Sequence, residues 1–199
     1  LSGGAGPSGL SAAYQLARLG HAVTIREAGP VAGGMMRFGI PKYRLPREVL
    51  DAEIRRILDL GVTLELGSKV TNVLEAMRAG GFDAVFLAVG AHIAKRAYIP
   101  AGSAARMLDA VSVLRSMEGN EKPLLGRRVV VYGGGNTAFD VARTAKRLGA
   151  EESVIVYRRT HDELPARAEE VRHAEEEGVR FDYLVAPLEV LGDDDGWVR

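Results

Sequence analysis

The sequence predicts an α/β fold with two parallel-sheet units, and three features of the chain indicate it. Two are glycine-rich turns, Gly4-Ala-Gly-Pro-Ser-Gly9 and Gly133-Gly-Gly-Asn-Thr-Ala138, each of which opens an amphipathic helix followed by an apolar strand. The third is the run Phe82–Gly90, because a nearly continuous apolar strand suits a parallel sheet covered on both faces. Together they predict two Rossmann-like, three-layer dinucleotide-binding domains.

The composition excludes several classes of protein. The chain has 199 residues, of which 47% are hydrophobic and 26% charged, and its formal net charge is zero. Balanced charge argues against a nucleic-acid partner, and no apolar run approaches the length of a membrane span. Cysteine is absent, so this stretch has no CxxC redox pair and no cysteine-ligated iron–sulfur cluster. We expect a cytoplasmic protein with neither a nucleic-acid nor a membrane partner.

The first glycine turn is a complete G-x-G-x-x-G motif. The helix after it carries apolar residues at helical spacing, among them Leu10 and Ala13, and Gly20 is placed to end it. The apolar strand Ala22–Ile25 follows, and Glu27 comes close to the position at which an acid bonds a ribose hydroxyl. A carboxylate at this position favours FAD. The alternative is that Glu27 is an acid at a strand end without a ligand.

The next stretch combines adjacent glycines with a basic segment. The glycines of Gly33–Met36 let the backbone approach a flat group, which fits a flavin ring. The alternative is a glycine loop whose methionines only fill the core. Lys42, Arg44 and Arg47 are candidates for a face that docks an electron-transfer partner, but such charges more often form a solvated face, and we favour the second interpretation.

Helices and strands alternate through the rest of the chain, with glycine or proline at their ends. Helices are predicted at Arg47–Leu60, Val73–Ala79, Met107–Met117, 136–148 and Pro165–Glu177, and strands at Val62–Leu66, Phe82–Gly90, 127–132, Val154–Tyr157 and Val179–Leu184. The stretch Thr160–Leu164 is predicted as a loop. The polar stretch 118–126 is the best linker candidate. We therefore predict a first domain over residues 1–120 and a second over 121–199.

In the second glycine turn each small residue has a physical reason. Gly133 allows the sharp exit from the strand, Gly135 lets a pyrophosphate approach the backbone, and Ala138 lets the helix lie close to the sheet. The phosphates would lie on the N–H groups of the helix that starts near Asn136. The next strand ends, about 20 residues on, in the Arg158-Arg159 pair. A guanidinium suits a 2′-phosphate, so NADP is favoured; the alternative is that one arginine is only solvated.

The sequence predicts neither a metal site nor side-chain catalysis. The four histidines show no metal-ligand spacing, so each is interpreted as structural or solvated; they are His21, His92, His161 and His173. No nucleophile lies in a recognisable pattern with a base. We therefore assign no catalytic residue and no metal ligand.

These motifs resemble the glutamate synthase small-subunit family of FAD- and NADPH-dependent oxidoreductases, a module that recurs in dihydropyrimidine dehydrogenase. Six phrases carry the resemblance, and they span nearly the whole chain in the family's order. They are Gly4-Ala-Gly-Pro-Ser-Gly-Leu10, Gly33-Gly-Met-Met-Arg-Phe-Gly-Ile-Pro41, Tyr43-Arg-Leu-Pro-Arg-Glu-Val-Leu50, Ala84-Val-Phe-Leu-Ala-Val-Gly-Ala91, Gly133-Gly-Gly-Asn-Thr-Ala-Phe-Asp140 and Tyr157-Arg-Arg159.

The resemblance implies an FAD domain interrupted by an inserted NADPH domain. It also implies hydride transfer from NADPH to FAD, with electron delivery to iron–sulfur centres or a partner subunit. The family's cysteine-rich N-terminal region and its C-terminal FAD-completing segment are not in these 199 residues, which we interpret as a piece of a longer protein. The residues expected to bind FAD are Gly4, Gly6, Pro7, Ser8, Gly9, Glu27, Gly34, Met35 and Gly90. Those expected to bind NADPH are Gly133, Gly135, Asn136, Thr137, Arg158 and Arg159.

Two other functions remain open at this stage. One is a flavin-dependent reductase or monooxygenase that acts directly on a small substrate; a disulfide reductase would need a cysteine pair, which is absent. The other is a non-catalytic nucleotide-binding module.

Overall fold

The chain divides into two compact units, Leu1–His92 and Ile93–Arg199, each with its own parallel sheet. The computed structural model describes residues 1–91, 98–101, 107–119, 122–192 and 198. The strands of these ranges are β1 (Ser2–Gly3), β2 (Thr24–Arg26), β3 (Thr63–Glu65), β4 (Phe86–Leu87), β5 (Arg128–Tyr132), β6 (Glu152–Tyr157) and β7 (Arg180–Tyr183). The α-helices are α1 (Pro7–Arg18), α2 (Gly34–Phe38), α3 (Arg47–Leu58), α4 (Val73–Ala79), α5 (Ala110–Ser116), α6 (Asn136–Arg147) and α7 (Ala168–Glu176). The predicted α/β class with two parallel sheets is confirmed.

In the first unit four strands pair in the order β3-β2-β1-β4, all parallel. The apolar side of α1 packs on this sheet, where Ala13 and Ile25 are fully buried. Helix α3 adds Leu50 and Ile54 to the same core. This arrangement places the turn between β1 and α1 at the carboxyl end of the sheet, where ligands bind in open α/β folds.

The prediction of a long buried strand over Phe82–Gly90 is wrong. Only Phe86 and Leu87 pair as a strand, and these two side chains are 44% and 60% exposed. Among the described residues β4 has β1 as its single neighbour, so it forms the edge of the sheet. A strand is buried on both faces only where elements cover both, and the apolar run does not reveal whether they do.

In the second unit β5, β6 and β7 pair in that order, again in parallel. Helix α6 packs Phe139 onto the sheet, where this ring and Ile155 are fully buried. The ring centroids of Phe139 and Phe181 lie 5.6 Å apart, which extends the core to β7. The β5-α6-β6-α7-β7 succession is the repeated βαβ unit that the sequence predicts.

Helix α5 belongs to the core of the second unit, because its Val113 and Leu114 are buried in the cluster that contains Phe139. The helix starts later than predicted because the Asp109 carboxylate accepts a hydrogen bond from Ser112 N–H at 2.9 Å and caps it. The predicted domain boundary at residues 120/121 thus differs from the boundary between the two compact units, which follows His92. The assignment of one cofactor to each domain stays a prediction.

A partly buried ion-pair network joins α6 to α7. Arg143, whose side chain is 7% exposed, pairs with Glu170 at 2.9 Å and with Glu177 at 2.8 Å, and Arg147 pairs with Glu177 at 2.7 Å. Burial acts to raise the pKa of Glu177, but hydrogen bonds and charges from Arg147 and Arg143 outweigh it and lower the pKa below its ordinary value. These contacts fix α7 beside α6.

Within the described ranges, no helix combines the length and the apolar character that crossing a bilayer requires. One of the four histidines, His92, and two residues of the predicted linker, Asn120 and Glu121, lie outside the described residues.

Candidate functional site

The first glycine turn connects β1 to α1, and neighbouring backbone packs closely against two of its glycines. A Cβ at Gly4 would lie 2.4 Å from the Ala88 carbonyl oxygen, and Gly4 has a φ of +117°. A Cβ at Gly9 would lie 1.8 Å from the Gly4 oxygen. These two glycines therefore allow α1 and the chain after β4 to approach the turn. Gly90, with a φ of +72°, comes two residues after Ala88.

Gly6 stands at the start of α1 and, unlike Gly4 and Gly9, is not required by close packing. It is the N-cap residue with a φ of −82°, and no side chain caps the helix. A Cβ at Gly6 would meet the Gly34 Cα at 3.8 Å, an ordinary contact. Pro7 is the first helical residue, so the N–H groups of Ser8 and Gly9 follow in the first turn, where a helix supplies no partner of its own. This helix start can accept an anion.

Glu27 lies beside this turn, as the spacing predicts. Its Oε2 accepts a hydrogen bond from Ala5 N–H at 2.8 Å, and its Oε1 accepts one from Gly29 N–H at 2.8 Å. The carboxylate therefore ties the end of β2 to the glycine turn. Each carboxylate oxygen can accept more than one hydrogen bond, so ribose hydroxyls can still bind here.

The adjacent glycines lie at the start of the short helix α2, with Gly33 as its N-cap, and the sequence did not predict a helix here. Gly33 N–H donates to the Ala5 carbonyl at 2.8 Å, and a Cβ at Gly34 would lie 2.7 Å from the Gly6 Cα. Met36 packs against the core, whereas the Met35 side chain folds back towards Gly39. Gly34 is thus brought against the glycine turn, and its contact with flavin stays a prediction.

In the second turn the three consecutive glycines differ in what surrounds them. Gly133 leaves β5 with a φ of +143°. A Cβ at Gly134 would lie 2.6 Å from the Tyr157 ring and 2.8 Å from Leu164. Gly135, the N-cap of α6, has an ordinary φ of −86°, and a Cβ there would meet nothing within 4 Å. Neither the backbone conformation nor packing within the described residues requires glycine at position 135.

The first residues of α6 are held to the start of α7. The side-chain oxygen of Asn136 accepts a hydrogen bond from Arg167 N–H at 3.2 Å. Arg167 is the N-cap of α7, so the two helices begin side by side. Thr137, in the first turn of α6, is exposed. The sequence motif correctly placed Asn136 and Thr137 at a helix start, but it gave no indication of the contact with Arg167.

Arg158 lies at the wall of a cavity of about 430 Å³ beside the second glycine turn. The residues that line it are Tyr98, Ile99, Tyr132, Gly133, Tyr157, Arg158 and Pro187. The Tyr157 ring is fixed, because its hydroxyl donates to the Glu163 carbonyl at 2.8 Å. The tyrosines were not predicted as site residues, since Tyr98 and Tyr132 come near Arg158 only through the fold.

Arg159 is exposed and is not among the lining residues of this cavity. The next residues form a 3₁₀ turn, His161–Glu163, where a loop was predicted. Hydrogen bonds from the Thr160 backbone N–H, and then from its hydroxyl, lower the pKa of Glu163, and the charge of Arg159 adds to this effect. The T-x-x-E pattern of a capping box could have revealed this turn.

The three residues predicted as a solvated basic face, Lys42, Arg44 and Arg47, differ in exposure. Lys42 is exposed. Arg47, in contrast, is half-buried, and its guanidinium donates to backbone carbonyls, including that of Ile40 at 2.8 Å. The interpretation of a wholly solvated basic face is therefore wrong for Arg47.

The sequence profile of the family described as pyridine nucleotide-disulphide oxidoreductase matches residues 4–198. The NADP(+)-dependent formate dehydrogenase subunit beta of Moorella thermoacetica is 47% identical over 194 residues, which are 96% of this chain and 27% of that protein. A putative glutamate synthase [NADPH] small chain of Cereibacter sphaeroides is 38% identical over 202 residues, 96% of this chain and 49% of that protein. The chain thus spans half or less of either relative.

Among solved structures, Mycobacterium tuberculosis FprA in complex with NADPH superposes with a TM-score of 0.80 at 20% identity. The match covers 96% of this chain and 60% of FprA. At this identity the similarity shows a common fold.

Proposed function

Because the chain belongs to the pyridine nucleotide-disulphide oxidoreductase family, we propose that it is the NADPH-oxidising part of a larger flavoprotein oxidoreductase. In this proposal a hydride passes from NADPH to FAD, and electrons leave for iron–sulfur centres or a partner subunit, as in the glutamate synthase small-subunit type. The predicted cofactor pair, FAD and NADPH, is confirmed at the level of the family. The resemblance stated from the motifs is confirmed as well, since a putative glutamate synthase small chain is among the relatives.

The observation that carries the proposal is the open space at Gly135. At many positions a positive φ or a close neighbouring atom is the reason that the residue is glycine, but Gly135 has neither. A side chain there would project into free space at the start of a 12-residue helix. A pyrophosphate that approaches the backbone N–H groups is a physical reason to keep this position free of a Cβ. The residues at this helix start therefore fit a dinucleotide.

The cavity beside Gly133 supports NADPH rather than NADH. Aromatic rings such as Tyr98 and Tyr132 offer a surface for a planar base, and Arg158 offers a guanidinium to a 2′-phosphate. No acidic residue lines the cavity within the described ranges. An acid at this place would instead favour the free hydroxyl of NAD.

The first glycine turn supports FAD as the second dinucleotide. Gly6, Ser8 and Gly9 would hold a pyrophosphate at the start of α1, and Glu27 would accept hydrogen bonds from a ribose. Gly34 lies against Gly6 and limits the space over the turn. Together with Gly4, Pro7, Met35 and Gly90, these are the residues we propose to line the FAD site.

When bound, FAD supplies the hydride acceptor and can release electrons one at a time, which no side chain of this chain can do. The chain's own residues then bind and orient the two nucleotides. Because FAD would supply the redox chemistry, no nucleophile–base pair is needed, and the sequence shows no recognisable one.

The names of both relatives support an electron-accepting partner. One is called subunit beta and the other a small chain. We therefore propose that this chain receives reducing equivalents for another subunit, and that the partner holds the final acceptor.

Turnover of the full-length protein with NADPH tests this proposal against the monooxygenase alternative. Under argon we expect rapid NADPH oxidation with a one-electron dye such as ferricyanide as the acceptor. NADPH oxidation that requires both oxygen and an organic substrate, with no dye reduction, would contradict electron delivery and favour the alternative.

A further inference from the structure

One guanidinium closes the loop between α2 and α3. Arg47 is the first residue of α3, and its Nη2 donates to the carbonyl oxygens of Arg37 at 2.6 Å and Ile40 at 2.8 Å. Its Nη1 donates to the Leu45 carbonyl at 2.7 Å. All three acceptors belong to residues 37–45, the last two residues of α2 and most of the connection to α3, which we call the 37–45 loop. Hydrogen bonds from a charged donor are stronger than neutral ones, so this loop is fastened to the start of α3.

Arg37, at the beginning of this loop, connects it both to the chain before α2 and to α3. Its Nε donates to the Ala32 carbonyl at 2.6 Å, and its Nη2 pairs with Asp51 of α3. The side chain of Arg37 is 11% exposed. The loop is therefore held to the residue before the two adjacent glycines as well as to α3.

Those two glycines reach the first glycine turn directly. Gly33 N–H donates to the Ala5 carbonyl at 2.8 Å, and Gly34 packs so closely on Gly6 that a Cβ would lie 2.7 Å from the Gly6 Cα. A shift of the 37–45 loop would therefore move Gly34 relative to the turn. Packed backbone contacts of this kind transmit displacements because they leave no free volume.

We propose that Arg47 is a positioning residue for FAD. By fastening the 37–45 loop it fixes Gly34 over Gly6, and so sets the width of the space beside the first glycine turn. Lysine would not replace it, because an ammonium lacks the planar fork that serves three carbonyls in fixed directions. This inference rests on the proposed function only in naming FAD as the molecule that the turn binds.

The test uses Arg47→Met and Arg47→Lys in the full-length protein, with Arg56→Met as the matched control. Arg56 lies on the same helix, but its side chain is 73% exposed and pairs with Glu53 on the surface. We expect Arg47→Met to raise the Kd for FAD at least about tenfold, which is one decade in affinity. Arg47→Lys should have a smaller effect, since it restores one charged donor. The Kd for NADP⁺ should stay unchanged in all three variants.

Hydrogen exchange of the FAD-free protein provides the second readout. Amides of residues 34–45 should exchange faster in both Arg47 variants and at the wild-type rate in the control. An unchanged Kd for FAD together with unchanged exchange would overturn the inference. Equal losses of FAD and NADP⁺ affinity, with a lower unfolding midpoint, would overturn it too, because the effect would then be global. If Arg47→Met does not fold, Arg47→Lys decides by the same criteria.

Failure of the proposed function gives a different result. A wild-type protein that binds no FAD would refute the flavoprotein proposal and, with it, the assignment of FAD to this site. Faster exchange of residues 34–45 in the Arg47 variants would still distinguish a fastened loop from a free one.

Discussion

Gly135 separates the requirements of folding from those of ligand binding. We expect Gly135→Ala to fold with unchanged or slightly higher stability, because the added methyl meets no atom within 4 Å and φ is ordinary. The same methyl would occupy the space we assign to a pyrophosphate, so NADP⁺ should bind at least about tenfold more weakly. Titration with NADP⁺ and a thermal melt measure the two effects separately. Unchanged affinity in a folded variant would count against the site.

Gly133→Ala is the matched comparison. A side chain at a φ of +143° strains the backbone. We therefore expect Gly133→Ala to lower stability and affinity together, unlike Gly135→Ala.

The two adjacent arginines should contribute unequally to nucleotide choice. Arg158 lines the cavity beside Gly133, whereas Arg159 influences Glu163. A hydrogen bond to a charged group is worth about 1.5–3 kcal/mol, so Arg158→Ala should weaken NADPH binding by about 10- to 150-fold. NADH binding should change little, because NADH lacks the 2′-phosphate. If Arg159→Ala has the larger effect on the NADPH/NADH ratio, the cavity does not hold the phosphate.

At the scale of single residues, the sequence predicts those site residues that are recognised by their spacing within a local motif. The glycine turns and the Arg158-Arg159 pair follow from motif and distance along the chain, but which of the two arginines lines the cavity does not. Tyr98 and Tyr132 could not be predicted as cavity residues, because they are distant from Arg158 in the sequence and line the same cavity only in the folded chain. The bond between Glu27 and Ala5 N–H also depends on the pairing of β1 with β2, which no local pattern specifies.

At the scale of elements, the ion pairs between α6 and α7 should stabilise the second unit. Glu177 accepts from both Arg143 and Arg147 and is 23% exposed. Glu177→Gln removes the charge and should cost about 1–3 kcal/mol in the free energy of unfolding by urea. The control is Glu176→Gln, since Glu176 pairs with Arg172 on the surface and should matter by less than about 0.5 kcal/mol. Equal effects of the two substitutions would show that the network is not stabilising.

The same network predicts a dependence of stability on pH. The pKa of Glu177 is lower in the folded protein than its ordinary value of 4.5. The stabilisation by the Glu177 carboxylate is therefore complete above pH 4.5, and it is lost as the pH falls through the lowered pKa of the folded state. The difference in urea stability between the wild type and Glu177→Gln should shrink between pH 7 and about pH 3. A difference that stays constant over this range would contradict the lowered pKa.

Helices and strands were predictable as elements, but their ends were set by contacts outside the pattern. The carboxylate of Asp109 caps α5 and shortens it relative to the hydrophobic run. Helix α2 was missed because two adjacent glycines have low helix propensity. Packing of Gly34 against Gly6 compensates for this, and such tertiary contacts are absent from a sequence pattern.

At the scale of the whole molecule, each of the two units repeats one design. In both, a strand leads through a glycine turn into a helix of 12 residues, whose N-cap is a glycine with a negative φ, Gly6 in the first unit and Gly135 in the second. The acid Glu27 follows the first unit's second strand, and Arg158 follows the corresponding strand of the second unit. This difference in charge is the basis for proposing two nucleotides rather than one.

The central claim is that the two turns serve one electron path from NADPH to FAD, and the visible spectrum of the full-length protein tests it most directly. The spectrum would be recorded under argon with FAD present, before and after one equivalent of NADPH, with NADH as the comparison. We expect a flavin band that bleaches with NADPH and much less with NADH. A protein that takes up no flavin, or a bound flavin that NADPH leaves oxidised, would contradict the claim.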